Sequence, residues 1–295
     1  MAVDREMVSW IRLILNLGKI RIAFLVTLST FTGYVLASGR INLFSLIPVV
    51  GVFLLALGAG ALNQYQERFR DAMMPRTAGR PIPSGQISSR RALTISLILL
   101  LLGVMVLTFG TNITAVLLGI VTVVWYNGVY TYLKRISALA VIPGSLIGAL
   151  PPLIGWASYQ PDIFYPRPLM LALFFFIWQI PHFWLLLLNF GTDYEKAGYP
   201  SLTARLDTQQ LGRLTFIWIV ATSVSIILLP LYGLGNSLVS QVLLFLSSVL
   251  LIWRSTVLLK PDLEKSSYLL AFKGINFFII IVMFILALDR LSVIR

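Results

Sequence analysis

The residues with usable chemistry begin at Asn63. Asn63, Glu67 and Asp71 are each four apart, so on a helix they share one face. Two carboxylates and an amide on one face make a set of hard oxygen donors, which suits Mg²⁺. Arg68, Arg70, Arg76 and Arg80 crowd the same stretch, which closes at Pro81. Carboxylates beside arginines point to a bound metal and a phosphorylated ligand, because Mg²⁺ holds phosphates through a few carboxylates plus water and arginine grips phosphate as a fork. The alternative is a solvated ion-pair cluster where a helix leaves a membrane, and the regular four-residue spacing weighs against it.

Three further groups stand apart in sequence. Tyr130 and Lys134 share a helical face, with Arg135 next to them. They read either as a snorkelling pair at a membrane edge or, beside Arg76 and Arg80, as part of a diphosphate clamp. Asp193, Glu195 and Lys196 precede the run Ala197-Gly198-Tyr199-Pro200, either an ordinary loop after a helix or a second acidic site. The one histidine, His182, sits in Trp178-Gln179-Ile180-Pro181-His182-Phe183-Trp184. An ionisable side chain in so apolar a run is costly, so it either bonds a neighbouring helix or serves as a metal ligand or proton carrier.

The elements that must position these groups are membrane helices. Of 295 residues 58% are hydrophobic and 12% charged, against about 25% charged in a soluble domain. With no cysteine there is no disulfide or thiolate chemistry, and one histidine excludes a multi-histidine metal site. The net charge of +12 lies in short loops between apolar runs, which reads as membrane topology and excludes a nucleic-acid surface. The charged amino terminus has no small-residue cleavage site after its first apolar run, so no cleavable signal is expected.

Nine spans follow. Met1 to Arg21 is expected at the interface, Ile22 to Gly39 is the first span, and Ile41 to Gln66 the second. A basic loop is expected over Arg68 to Arg91. Ala92 to Leu133 is too long for one crossing of about 20 residues and divides at Gly110-Thr111-Asn112. Ile136 to Tyr159 contains Pro143, Pro151 and Pro152; Pro168 to Gly191 holds His182. Leu214 to Trp253 divides at Tyr232 to Asn236, and Ser266 to Leu288 is last. All but four of the 23 Lys and Arg residues then fall on one side, the four being Arg40, Arg167, Arg290 and Arg295, which puts the amino terminus and the loops of interest in the cytoplasm and the carboxyl terminus outside an inner membrane. Motif loops separated by four spans return to one face, so the single transmembrane domain divides into four-helix halves, about 20–135 and 136–260, plus a final helix. A straight helix would put His182 about 16 Å deeper than Asp193 at 1.5 Å per residue.

Together these residues resemble the haem O synthase (protohaem IX farnesyltransferase) branch of the UbiA-type intramembrane prenyltransferases. The resemblance runs from about Leu17 to Leu288. It rests on Asn63-x3-Glu67-x3-Asp71 with Arg76-Thr77 and Arg80, on Tyr130-x3-Lys134-Arg135, on Ala149-Leu150-Pro151-Pro152-Leu153-Ile154-Gly155, and on Trp178-Gln179-x-Pro181-His182 leading to Asp193-Tyr194 and Ala197-Gly198-x-Pro200. Two departures stand out: Ala197 replaces the aspartate often found four residues after Asp193, and Glu67 stands where aspartate is usual.

The resemblance implies an all-α bundle of nine transmembrane helices around a central cavity. It implies Mg²⁺ as cofactor, with Asn63, Glu67, Asp71 and Asp193 as its ligands, and Arg76, Arg80, Tyr130, Lys134 and Arg135 around a diphosphate. It implies farnesyl diphosphate and haem b as substrates, His182 on the haem side, and a haem A synthase or terminal oxidase assembly as receiver of the product. Two other functions fit the motifs less fully. A prenyltransferase acting on a quinone or chlorophyll precursor would keep the first motif without needing His182. A transporter of an anionic substrate would place its acids at the midplane rather than at one face.

Overall fold

The structure is a computed structural model that describes residues 2–261 and 263–292; Met1 and Arg295, the latter used in the charge count above, lie outside the described residues. Ten long helices account for the chain: α1 (Ala2–Leu17), α2 (Ile20–Ser38), α3 (Leu46–Met73), α4 (Ser89–Gly110), α5 (Ile113–Val123), α6 (Leu146–Tyr159), α7 (Pro166–Lys196), α8 (Thr208–Leu231), α9 (Leu238–Ser255) and α10 (Lys265–Ser292). Among the described residues nine helices, α2 to α10 with their short extensions, are long and apolar enough to cross a membrane.

The expected breaks fall where the sequence carries caps. Asn112 ends the α4–α5 run by accepting a hydrogen bond from the Ala115 amide, and Ser237 opens α9 by accepting from Ser240. The second span differs from expectation. α3 continues to Met73, so Arg68 and Arg70 are helical and the basic loop starts later, with a short helical turn at Pro75–Ala78. The extension keeps one buried face: Asn63, Glu67 and Asp71 continue, at the same spacing, the stripe that Leu55 and Ala59 form deeper in the bundle. α7 likewise runs past Gly191 to Lys196, but Phe190 leaves helical geometry at φ −131°, ψ 16°. His182 and Asp193 are therefore not on one straight axis, the geometry that the expected offset of about 16 Å assumed.

Past Val123 the α5 backbone opens into a π-helical stretch, Val124–Tyr130, before closing at Thr131–Leu133. The wider turn carries Asn127 against α3, where its amide donates to the Ala59 carbonyl at 3.0 Å and to Gln66 Oε1 at 3.1 Å. α2, α6, α7 and α10 pack in a ring, each against the next; α3, α4 and α5 flank it on one side and α8 and α9 on the other. α2 and α6 approach closely because a Cβ at Gly155 would strike the Thr30 carbonyl and one at Gly33 the Pro152 carbonyl. The larger core centres on Phe174, Leu185, Ile219 and Ile275.

Candidate active site

The site is built on the last three turns of α3. Asn63, Glu67 and Asp71 are all buried, and they stand where the helix dipole is negative. Carboxylates there are unfavourable unless cations oppose them, and the fold supplies cations from three directions. Arg80, from the turn after α3, meets Asp71 Oδ2 at 2.6 Å. Lys134, from the end of α5, meets Glu67 Oε1 at 2.6 Å. Lys19, between α1 and α2, donates to Asn63 Oδ1 at 2.7 Å. Asn63 also donates to Thr131 Oγ1 at 3.1 Å, which fixes the orientation of its amide.

The segments after α3 and α7 close over one another. Met74, Ala197 and Tyr199 pack into a small apolar cluster with Tyr194. Tyr199 donates its hydroxyl to Glu67 Oε1 at 2.8 Å and lays its ring under Arg70, 4.9 Å from the guanidinium carbon. Burial and the Glu67 charge both push the Tyr199 phenol above its usual range. Burial, then the Arg80 charge, brings the Lys19 ammonium down to about 7. Arg76 lies over the Phe190 and Tyr194 rings at 4.9 and 5.9 Å.

Some residues expected together are not. Asp193 is half-buried and its carboxylate has no hydrogen-bonding or ion-pair partner among the described residues, and no three acidic or imidazole side chains there converge on one point. Arg135 turns to the Gln66 carbonyl at 3.0 Å and to the Tyr132 ring instead of a carboxylate. The donor set on α3 nonetheless fits Mg²⁺. Asp71 Oδ1 is buried with no hydrogen-bond partner, beside the Glu67 carboxylate and the Asn63 amide. Lys19, Thr131 and Tyr199 join the site without having been singled out in the sequence. The Ala-Gly-Tyr-Pro run contained Tyr199, but nothing in its spacing indicated its partner.

A line of aromatic rings leads inward from this cluster. Lys134 Nζ is 5.5 Å from the Tyr130 ring; Tyr130 stacks on Tyr126 and on Phe183, with centroids 6.2 and 6.0 Å apart. Phe183 meets His182 edge-on at 5.6 Å, and Trp178 and Phe272 flank the imidazole at 5.0 Å each. The Nδ1 of His182 is buried and has no hydrogen-bond partner. Trp178 Nε1 donates across to the Ile275 carbonyl at 3.0 Å, tying α7 to α10 beside the ring.

The chain is similar to curated proteins named protoheme IX farnesyltransferase. That of Nitratidesulfovibrio vulgaris is 34% identical over 233 residues, 79% of this chain and 81% of that protein. That of Oleidesulfovibrio alaskensis is 31% identical over 281 residues, 94% of this chain and 95% of that one. Among solved structures, one concerned with digeranylgeranylglyceryl phosphate synthase superposes with a TM-score of 0.76 at 19% identity, over 96% of this chain and 99% of the other. A UbiA homolog from Archaeoglobus fulgidus bound to GPP and Mg²⁺ superposes with a TM-score of 0.66 at 14% identity, over 95% and 99%. The family match itself covers residues 26–284, from α2 to α10, and with it the whole polar cluster on α3: the chain belongs to the UbiA prenyltransferase family.

Proposed function

We propose that the chain transfers the farnesyl group of farnesyl diphosphate to a vinyl group of haem b, with addition of water, giving haem O and diphosphate. The names of the relatives support prenyl transfer to protohaem. Within the chain, the observation that carries the choice of acceptor is His182. A half-buried imidazole whose Nδ1 is buried and unpartnered, walled by Trp178, Phe183 and Phe272, is suited to a flat metalloporphyrin, whereas a quinone-type ring offers it no iron.

Glu67, Asp71 and Asn63 would hold Mg²⁺, with Asp193 joining when a ligand draws the α7 end inward; a Mg²⁺-bound UbiA relative supports the choice of ion. When bound, Mg²⁺ neutralises charge on a diphosphate leaving group. Arg80 and Lys134 swing from their carboxylates to diphosphate oxygens, and Arg76 closes from the exposed side. Tyr130 frames the allylic end, and Arg135 holds the α5 terminus against α3. The C1–O bond of the farnesyl group breaks, and its electron pair leaves with diphosphate. The vinyl group's terminal carbon bonds farnesyl C1, and the neighbouring carbon takes a hydroxyl from water while one proton is released. Tyr126, Tyr130 and Phe183 turn π-faces toward the developing cation and keep water from it until the new C–C bond has formed. The site end of the bundle, with the amino terminus, faces the cytoplasm of a cell whose inner membrane holds the protein.

The test is mass spectrometry of haem from membranes containing this chain, supplied with farnesyl diphosphate and haem b. Haem O should form with Mg²⁺ present and disappear with a chelator. Diphosphate release with haem b unchanged would mean another acceptor, and no release would end the prenyl-transfer reading.

A further inference from the structure

Lys19 has an environment that its structural contacts do not account for. Its backbone is left-handed, φ 57° and ψ 56°, and among the described residues it is the one non-glycine with positive φ. It occupies the N-cap of α2, where the helix dipole repels a cation, and its side chain caps nothing. Its ammonium hydrogen-bonds a neutral amide, Asn63 Oδ1, while Arg80 and Lys134 each meet a carboxylate. Backbone and dipole both disfavour a lysine at this half-buried position, and such costs persist where function requires them.

The placement is also enforced from α3. Gln64 donates to the Asn16 and Leu17 carbonyls at 3.0 and 2.8 Å, gripping the chain just ahead of Lys19. A Cβ on Gly60 would come within 2.6 Å of the Gly18 carbonyl, so the two backbones lie against each other. Lys19 is thus brought onto the same helix face as Glu67 and Asp71, whose charges it feels together with those of Arg80 and Lys134.

We propose that Lys19 is a diphosphate-binding residue, held on Asn63 until a magnesium–prenyl diphosphate arrives. The proposal rests on the reading of this site as a prenyl diphosphate site. With Lys19 in its protonated form, Lys19, Arg80 and Lys134 against Glu67 and Asp71 leave one excess positive charge in the cluster. A prenyl diphosphate carries about three negative charges at neutral pH, of which one Mg²⁺ cancels two, so the incoming complex bears about the single negative charge that the cluster lacks. When the complex binds, Asn63 Oδ1 is freed for the metal as the Lys19 ammonium moves to a phosphate oxygen.

The experiment is titration calorimetry of the full chain in detergent with inorganic diphosphate and Mg²⁺, alongside a haem titration. Lys19→Gly removes the side chain and is at home in the left-handed backbone, so its melting temperature should equal or exceed that of the unaltered protein. Its diphosphate affinity should fall about tenfold, the loss of one charge-assisted contact, with Lys19→Arg close to the unaltered protein and haem affinity the same in all three. A loss under fivefold in Lys19→Gly, or an equal loss of haem and diphosphate binding, would overturn the proposal while leaving the site reading intact. Failure of the unaltered protein to bind diphosphate would overturn both.

Discussion

Asp71 keeps one oxygen on Arg80 and leaves the other without a partner. Asp71→Asn retains the shape and removes the charge, so farnesyl diphosphate turnover should fall on the order of 10²-fold while the protein still folds in detergent. Turnover near that of the unaltered protein would remove Asp71 from the metal site. His182 makes a different prediction. If it takes haem iron, His182→Ala should shift the Soret band of bound haem and weaken haem affinity about tenfold or more, with diphosphate binding unchanged. An unaltered spectrum would return His182 to a packing role. Legibility divides along the same lines. Asn63, Glu67 and Asp71 could be read from the sequence because one helix carries them and helical period is written in spacing. Lys19 and Tyr199 could not, because their partners on α3 lie 44 and 132 residues away and no periodicity links separate helices.

Helices that meet without a hydrophobic drive between them depend on how closely their backbones approach. α2 and α6 are the clearest case: a Cβ at Gly155 would strike the Thr30 carbonyl. Gly155→Val should therefore push the pair apart and cost about 1–3 kcal/mol, read as a lower unfolding midpoint in detergent, with activity falling in step. An unchanged midpoint would show that α2 can yield without loss. The spans themselves were readable because a bilayer demands long uncharged runs, and the breaks at Gly110–Asn112 and Tyr232–Asn236 because those runs exceed one crossing; the caps at Asn112 and Ser237 fall at them. The continuation of α3 to Met73, the opened turn at Val124–Tyr130 and the break at Phe190 were not readable. Each depends on which neighbour a segment packs against, and local composition carries no trace of that.

At the scale of the molecule, the polar cluster, the Arg76–Tyr194 contact and the Met74–Tyr199 clasp occupy one end of the bundle, and the turn between α8 and α9 occupies the other. A chain without cysteine lets that polarity be tested with single introduced thiols. In intact inverted vesicles, an impermeant maleimide should label Ser84→Cys and spare Asn236→Cys, and in right-side-out spheroplasts the pattern should reverse; the opposite result would invert the charge-based orientation. The clasp also sets a schedule for the protein's own manufacture. Glu67 enters the membrane well before its partners exist: Lys134 follows 67 residues later and Tyr199 follows after 132. A nascent chain is thus born with an unmatched acid at the place where the finished protein is neutralised; Lys134 is the first partner to reach it, and Tyr199, just past α7, completes its contacts. A fragment ending at residue 130, before either partner, should be degraded faster in a pulse-chase than one ending at 165, which has Lys134, and both faster than the whole chain.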